Sequence, residues 1–114
     1  MVTIYYNSRC SKSRGACDLL QSAGIEAEVI EYLKTPPNEE VIRSILQKLG
    51  MKASEIVRKG EELYKSRYAG KDYSETEWIK ILSENPILIE RPIVVNGNKA
   101  VIGRPIEKVL EILK

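Results

Sequence analysis

The order of the apolar patterns along the chain constrains its fold more than any other feature. A strand pattern at Val2 to Tyr6 precedes a helical pattern from Ser11 to about Ala23, which Gly24 ends. A second strand pattern runs from Glu26 to about Leu33. Because a helix between two strands joins parallel neighbours, this part of the chain predicts a βαβ unit.

The segment between residues 38 and 86 shows helical patterns and no strand pattern. Its first helix is predicted to be capped by Asn38 and to end at Gly50. The apolar residues of that helix lie on one face: Val41, Ile42, Ile45, Leu46 and Leu49. Further helices are predicted at 54–59, at 62–68, and from a capping box of Ser74 and Glu77 to Asn85.

A β-hairpin and a last helix complete the pattern. Two apolar runs, 93–95 and 100–102, flank the turn sequence Asn96-Gly97-Asn98. Gly103-Arg104-Pro105 then leads into a helix with the apolar residues Ile106, Val109, Leu110 and Leu113. The order βαβ, helices, ββα predicts an α/β sandwich. Since the chain has 114 residues and no long linker, we expect one domain, 1–114, with a helical insertion at 38–89.

Cys10 lies between the first strand and the first helix, in a run that holds Arg9, Lys12 and Arg14 and no acid before Asp18. At a helix N-terminus a thiol meets unpaired amide N–H groups and the positive end of the helix dipole. Such settings lower a cysteine pKa from about 8.5 to about 3.5–7.5. We therefore expect a nucleophilic thiolate. The alternative, a small buried hydrophobic residue, is disfavoured by the polar neighbours.

Cys17 is the opposite case, because it lies among Ala16, Leu19 and Leu20 and is expected in the core. An intact helix separates the two cysteines by about 10 Å, whereas a disulfide needs Cα atoms within about 7 Å. The sequence therefore predicts no bridge between Cys10 and Cys17.

Composition excludes several classes of function. The chain has no histidine and only two cysteines, which excludes cysteine–histidine proteases and zinc sites. Its net charge of +2 is too balanced for a protein that coats nucleic acid, so we expect no direct nucleic-acid binding. Without a membrane-spanning run or a signal peptide, and with cysteines that suit a reducing compartment, the chain is expected to be cytoplasmic and not membrane-bound.

A second basic segment lies near the end of the chain. Residues 91–104 contain Arg91, Lys99 and Arg104 and no acid. Together with the basic run around Cys10, this segment could build one positive pocket. The alternative is that these are ordinary solvated charges.

The two halves, with a cysteine at the first helix and a proline opening the third strand, resemble the thioredoxin fold with an all-helical insertion. Several motifs, in the same order over nearly the whole chain, are similar to those of the glutaredoxin-coupled arsenate reductase family. These motifs are Ile4-Tyr5 with Asn7 and Cys10, Ser13-Arg14, Tyr32-Leu33 to Pro36-Pro37, Arg58-Lys59 with Glu62 and Tyr64, Pro86-Ile87-Leu88-Ile89, Arg91-Pro92-Ile93-Val94-Val95 and Gly103-Arg104-Pro105.

The resemblance implies the reduction of arsenate to arsenite. It makes Cys10 the nucleophile that attacks arsenate, and it assigns the binding of the oxyanion and the stabilisation of the thiolate to Arg58, Arg91 and Arg104. Guanidinium groups suit that task because they bind oxyanions through paired hydrogen bonds. The resemblance further implies four substrate-binding residues: Asn7, Ser13, Arg14 and Pro92, the last as a cis-proline. It also implies glutathione as co-substrate, glutaredoxin as partner, and no bound cofactor or metal.

Two departures from the family leave alternatives open. Tyr6 stands where family members commonly carry a histidine, so thiolate stabilisation would fall on the cations near Cys10 and on the helix terminus. Ser13 gives Cys-x-x-Ser, whereas Spx-type regulators, which bind RNA polymerase, typically carry Cys-x-x-Cys. The alternatives are a glutathione-dependent thiol oxidoreductase of another substrate and an Spx-like regulator. Phosphatase-type arsenate reductases are disfavoured because their Cys-x5-Arg pattern meets Ala16 here.

Overall fold

Among the residues that the structure describes, four strands form one sheet. The computed structural model describes residues 2–7, 10–104 and 106–113, without the side chains of Lys12 and Ile106. The strands are β1 (Val2–Tyr6), β2 (Ala27–Glu31), β3 (Ile93–Asn96) and β4 (Lys99–Ile102). They lie in the order β2-β1-β3-β4, with β1 parallel to β2 and β3 antiparallel to both of its neighbours. The predicted βαβ unit and β-hairpin are confirmed, and the fold is the predicted α/β thioredoxin-like fold.

In the described part of the chain, three α-helices and four shorter helices accompany the sheet. The α-helices are α1 (Ser11–Ser22), α2 (Glu39–Leu49) and α3 (Glu75–Glu84). Three segments form 3₁₀ helices, and a fourth forms a π-helix: Ala53–Ile56, Pro86–Leu88, Ile106–Ile112 and Tyr64–Tyr68, in that order. Within the described ranges, no helix is long and apolar enough to cross a membrane.

The chain divides into two compact units. The first unit comprises the residues up to Thr35 and those from Arg91 onward, and the second comprises Pro36–Glu90. The second unit matches the predicted insertion at 38–89 closely. The organisation of 1–114 as a single domain stays a prediction.

In the first unit, one face of the sheet packs against α1 and the last helix. The buried cluster joins residues of β1, β3, α1 and that helix: Val2, Ile4, Val94, Ala16, Leu20, Val109 and Ile112. The side chain of Asn96 donates a hydrogen bond of 2.7 Å to the carbonyl oxygen of Ile112, which ties the hairpin to the last helix. This packing fixes α1, and with it Cys10, against the sheet.

The last helix differs from the α-helix that the apolar spacing predicts. A 3₁₀ helix repeats every three residues, so Val109 and Ile112 face the core together. Leu110, which an α-helical spacing would bury, is 41% exposed.

In the second unit, the predicted helix caps are confirmed. The side chain of Asn38 accepts a hydrogen bond from the N–H of Val41, and Gly50 ends α2 with a positive φ of 68°. Ser74 and Glu77 form the reciprocal capping box of α3. The hydrogen bonds from Ser74 hold the pKa of Glu77 below its ordinary value.

The predicted helix at 54–59 is wrong in its second half. The 3₁₀ helix ends at Ile56, and Val57 forms an isolated antiparallel bridge with Ile89. The N–H of Arg58 donates to the carbonyl oxygen of Leu88 at 2.7 Å. These extended backbone bonds replace helical ones, so the insertion is not all-helical and the backbone of Arg58 is anchored.

The predicted helix at 62–68 widens into a π-helix over Tyr64–Tyr68. The rings of Tyr64 and Tyr68 both lie against the buried Trp78 of α3, with centroid distances of 6.4 Å and 6.1 Å. Tyr73 contacts the same indole edge-on at 4.9 Å. Packing of aromatic rings around Trp78 therefore accompanies a helix geometry that local propensity does not predict.

Candidate active site

Three segments that carry predicted site residues meet at one edge of the sheet. Tyr5 of β1 lies opposite Ile93 of β3, and Ile93 lies opposite Ile102 of β4. Because β3 is antiparallel to both neighbours, the end of β1, the start of β3 and the end of β4 share this edge. The residues that follow or precede these strand ends are Cys10, Arg91, Pro92, Gly103 and Arg104.

Cys10 occupies the N-cap position of α1, as its sequence neighbours predict. Its backbone is extended, its N–H donates to the carbonyl oxygen of Asn7 at 2.9 Å, and its carbonyl oxygen accepts from the N–H of Arg14 at 3.1 Å. The first turn of α1 contains no acidic residue. The helix dipole and the first-turn amides therefore favour negative charge on a sulfur at this position.

Arg104 links Cys10 to the start of β3. Its Nη2 donates to the Sγ of Cys10 at 3.7 Å, and its Nε donates to the carbonyl oxygen of Arg91 at 2.7 Å. The backbone carbonyl thus aims the guanidinium at the sulfur. Cys10 itself is only 7% exposed, although its polar sequence neighbours predict a more open position. The positive charge of a guanidinium beside a sulfur favours thiolate over thiol, whereas burial of the sulfur acts in the opposite direction.

The path of the chain into Arg104 depends on Gly103, which sequence reasoning did not select as a site residue. The peptide bond between Arg91 and Pro92 is cis, which confirms the cis-proline, and the N–H of Gly103 donates to the carbonyl oxygen of Pro92 at 2.9 Å. A Cβ on Gly103 would lie 3.1 Å from Cγ of Pro92 and 3.2 Å from Cγ2 of Val109. The absence of a side chain therefore lets this segment pack closely against Pro92.

Ser13 is buried one helical turn after Cys10. It has no exposed surface, and its Oγ has no hydrogen-bond partner among the residues that the structure describes. Residues three apart on a helix are neighbours on its surface, so this hydroxyl lies on the Cys10 side of α1. It can donate a hydrogen bond to an anion there. Asn7 is also buried, whereas the side chain of Arg14 is exposed.

No contact in the described part of the chain brings the other predicted site residues to this edge of the sheet. Arg58 belongs to the second unit, where its Nη1 lies 2.7 Å from Oε2 of Glu61. Its convergence with Arg91 and Arg104 on Cys10 stays a prediction. Tyr6 packs against the buried cluster of the first unit. Arg9 and the side chain of Lys12 lie outside the described residues.

Sequence reasoning also missed Glu61 as the partner of Arg58. The signal that could have found it is the spacing, because an arginine and a glutamate three residues apart come together in a helical turn or a β-turn. No comparable signal exists for the carbonyl group of Arg91, whose role depends on the register of the sheet.

Cys17 behaves as the core residue that the sequence predicts. It is half-buried and packs against the cluster of the first unit. Burial and the nearby carboxylate of Asp18 raise the pKa of its thiol. Both cysteines are free thiols.

In the part of the chain that the structure describes, no three histidine, cysteine or acidic side chains are grouped so as to hold a metal ion.

Comparison with known proteins gives relatives over the full length. The sequence model of the ArsC family matches residues 5–112. The chain is 49% identical to YfgD of Escherichia coli K12, covering 98% of this chain and 96% of that protein. It is 46% identical to an arsenate reductase of Haemophilus influenzae, covering 98% of each. The structure of an arsenate reductase from Vibrio cholerae superimposes with a TM-score of 0.93 at 44% identity, over 97% of this chain and 96% of the other.

The settings of the two thiols predict a clear difference in their reactivity. At neutral pH, iodoacetamide should label wild-type protein rapidly at Cys10, and Cys10→Ser should abolish the fast phase. Cys17→Ser should leave the fast phase intact, because burial and Asp18 keep Cys17 protonated. Peptide mapping of the alkylated protein identifies the site. Rapid labelling of Cys17 in the Cys10→Ser variant would contradict the assignment.

Proposed function

Because the chain belongs to the ArsC family, we propose that it is an arsenate reductase in which Cys10 is the nucleophile and glutathione and glutaredoxin supply the electrons. The observation that carries this proposal is the hydrogen bond of 3.7 Å from Nη2 of Arg104 to Sγ of Cys10. A sulfur at a helix N-terminus with a guanidinium aimed at it suits attack on an oxyanion. The compartment we propose is the cytoplasm, which keeps such thiols reduced.

The chemistry requires two thiols for each arsenate. The thiolate of Cys10 adds to arsenic, and one arsenate oxygen leaves as water after it has been protonated. Glutathione then attacks, the two sulfurs join as a mixed disulfide, and the two electrons they lose reduce As(V) to As(III), which leaves as arsenite. Glutaredoxin removes the glutathione and returns Cys10 to the thiol. No bound metal or organic cofactor takes part in this sequence.

Arginines supply the positive charge that the reaction needs. Arsenate is an anion at neutral pH, so its approach to a thiolate is unfavourable until its charge is neutralised. We assign this role to Arg58, Arg91 and Arg104, with Asn7, Ser13, Arg14 and Pro92 as further substrate contacts. The buried hydroxyl of Ser13 supports its part, because a donor there can bind an arsenate oxygen or the thiolate. Tyr6 takes no part, since its ring packs against the core.

A steady-state assay with arsenate, glutathione and glutaredoxin tests the proposal. We expect arsenite formation that requires all three reagents and that is lost in Cys10→Ser. Turnover of disulfides without turnover of arsenate would instead indicate a glutathione-dependent thiol oxidoreductase. Capture of RNA polymerase without any turnover would indicate an Spx-like regulator.

The proposed sequence predicts which disulfide accumulates when glutaredoxin is omitted. One turnover with arsenate and glutathione should leave Cys10 joined to glutathione, because α1 is intact and holds Cys17 too far away for a bridge. Mass spectrometry of unreduced peptides measures this directly. A peptide pair that joins Cys10 to Cys17 as the main product would contradict the monothiol sequence.

The arginine assignment predicts a loss that charge alone cannot restore. Replacing Arg58, Arg91 or Arg104 with lysine keeps the charge but removes the bidentate fork, so oxyanion binding should weaken by about 1–3 kcal/mol. The second-order rate of Cys10 with arsenate reports this loss for each variant. Arg43→Lys is the matched control, since Arg43 pairs with Glu39 on an exposed helix face. Wild-type rates in all three variants would show that these arginines bind no substrate.

A further inference from the structure

A short and shielded ion pair follows the bridge between Val57 and Ile89. Nη1 of Arg58 lies 2.7 Å from Oε2 of Glu61, and the two side chains are only 21% and 23% exposed. Two other ion pairs in the described part of the chain are longer and more solvated: Lys34–Glu31 at 3.5 Å and Arg43–Glu39 at 3.7 Å. Solvation and side-chain entropy make exposed pairs weak, so of these three pairs the Arg58 pair is expected to hold the best-defined geometry.

Two hydrogen bonds hold the backbone of Arg58, one at its N–H group and one at its carbonyl oxygen. Its backbone N–H donates to the carbonyl oxygen of Leu88 at 2.7 Å, and its carbonyl oxygen accepts from the N–H of Glu61 at 3.2 Å. The second bond closes a turn that brings the Glu61 carboxylate back onto the guanidinium. A free arginine side chain loses much rotamer freedom when it binds an anion. An arginine already held by a carboxylate has less freedom to lose.

We propose that Glu61 is a positioning residue for the oxyanion site. Its carboxylate orients the guanidinium of Arg58 for the incoming arsenate. This inference rests on the proposed function, in which Arg58 binds the oxyanion. The contact joins one carboxylate oxygen to one guanidinium nitrogen, and a guanidinium has five N–H donors. The pair therefore fixes one edge of the group and leaves donors for a second anion.

The Glu61 carboxylate could instead repel the oxyanion and compete with it for Arg58. The two roles predict opposite changes in arsenate binding when Glu61 is removed. If Glu61 positions Arg58, its removal weakens arsenate binding. If Glu61 competes, its removal strengthens binding, because a negative charge next to the guanidinium is lost. Glutamine separates the geometry from the charge, since its amide oxygen can still accept from Nη1 of Arg58.

The test measures KM and kcat for arsenate with the full-length protein, glutathione and glutaredoxin. Glu61→Ala should raise KM about fivefold, which is the scale expected for the loss of one ion pair. The value of kcat should change by less than about twofold, because the pair acts on binding, before the chemical step. Glu61→Gln should return KM most of the way to the wild-type value. Glu62→Ala is the matched control, because it removes an adjacent but exposed glutamate, and it should behave as wild type.

Arg58→Lys separates failure of this inference from failure of the proposed function. If Arg58→Lys raises KM but Glu61→Ala leaves it unchanged or lowers it, Glu61 does not position Arg58 and the proposed function stands. A glutamine variant as impaired as the alanine variant would also overturn the positioning role. If the wild-type protein reduces no arsenate, or if Arg58→Lys leaves KM unchanged, the assignment of Arg58 fails and this inference fails with it.

Discussion

The antiparallel pairing of β3 with β1 and β4 is the constraint on which the site depends. Its register sets Ile93 between Tyr5 and Ile102, and so it brings the start of α1 and the end of β4 to one edge of the sheet. Cys10 and Arg104 are far apart in sequence and meet only because of this register. A slip of one residue would turn each strand over and separate them.

The electrostatics of the site follow from the absence of histidine. Arginine stays protonated at every physiological pH, whereas an imidazole loses its charge near neutrality. The field that Arg104 imposes on Cys10 is therefore fixed by geometry, which the carbonyl group of Arg91 and the close packing of Gly103 maintain. At position 6, a tyrosine ring adds apolar area to the core of the first unit.

Arg104 and Arg58 are held by different acceptors. A neutral backbone carbonyl accepts from Nε of Arg104, while Nη2 of the same guanidinium donates to the sulfur of Cys10. A carboxylate holds Arg58, so part of its charge is already balanced before any substrate arrives. In the reaction that we propose, Arg104 is suited to stabilise the thiolate, and Arg58 is suited to bind the arsenate anion.

The sequence by itself determined the features that depend only on interactions between residues a few positions apart. The caps at Asn38 and Ser74, the hairpin turn at Gly97 and the place of Cys10 at a helix N-terminus could all be predicted from the sequence, because each depends on bonds between near neighbours. The resemblance to a known family supplied the prediction of a cis peptide at Pro92 and the assignment of three arginines to oxyanion binding.

Tertiary structure decided what depends on distant partners. The bridge of Val57 with Ile89 ended a predicted helix, rings around Trp78 accompanied a π-helix, and 3₁₀ geometry exposed Leu110 while it buried Ile112. The burial of Cys10 and its contact with Arg104 belong to the same class. The physical reason is that packing and hydrogen bonds between remote segments outweigh local propensities, which differ by less than about 1 kcal/mol per residue.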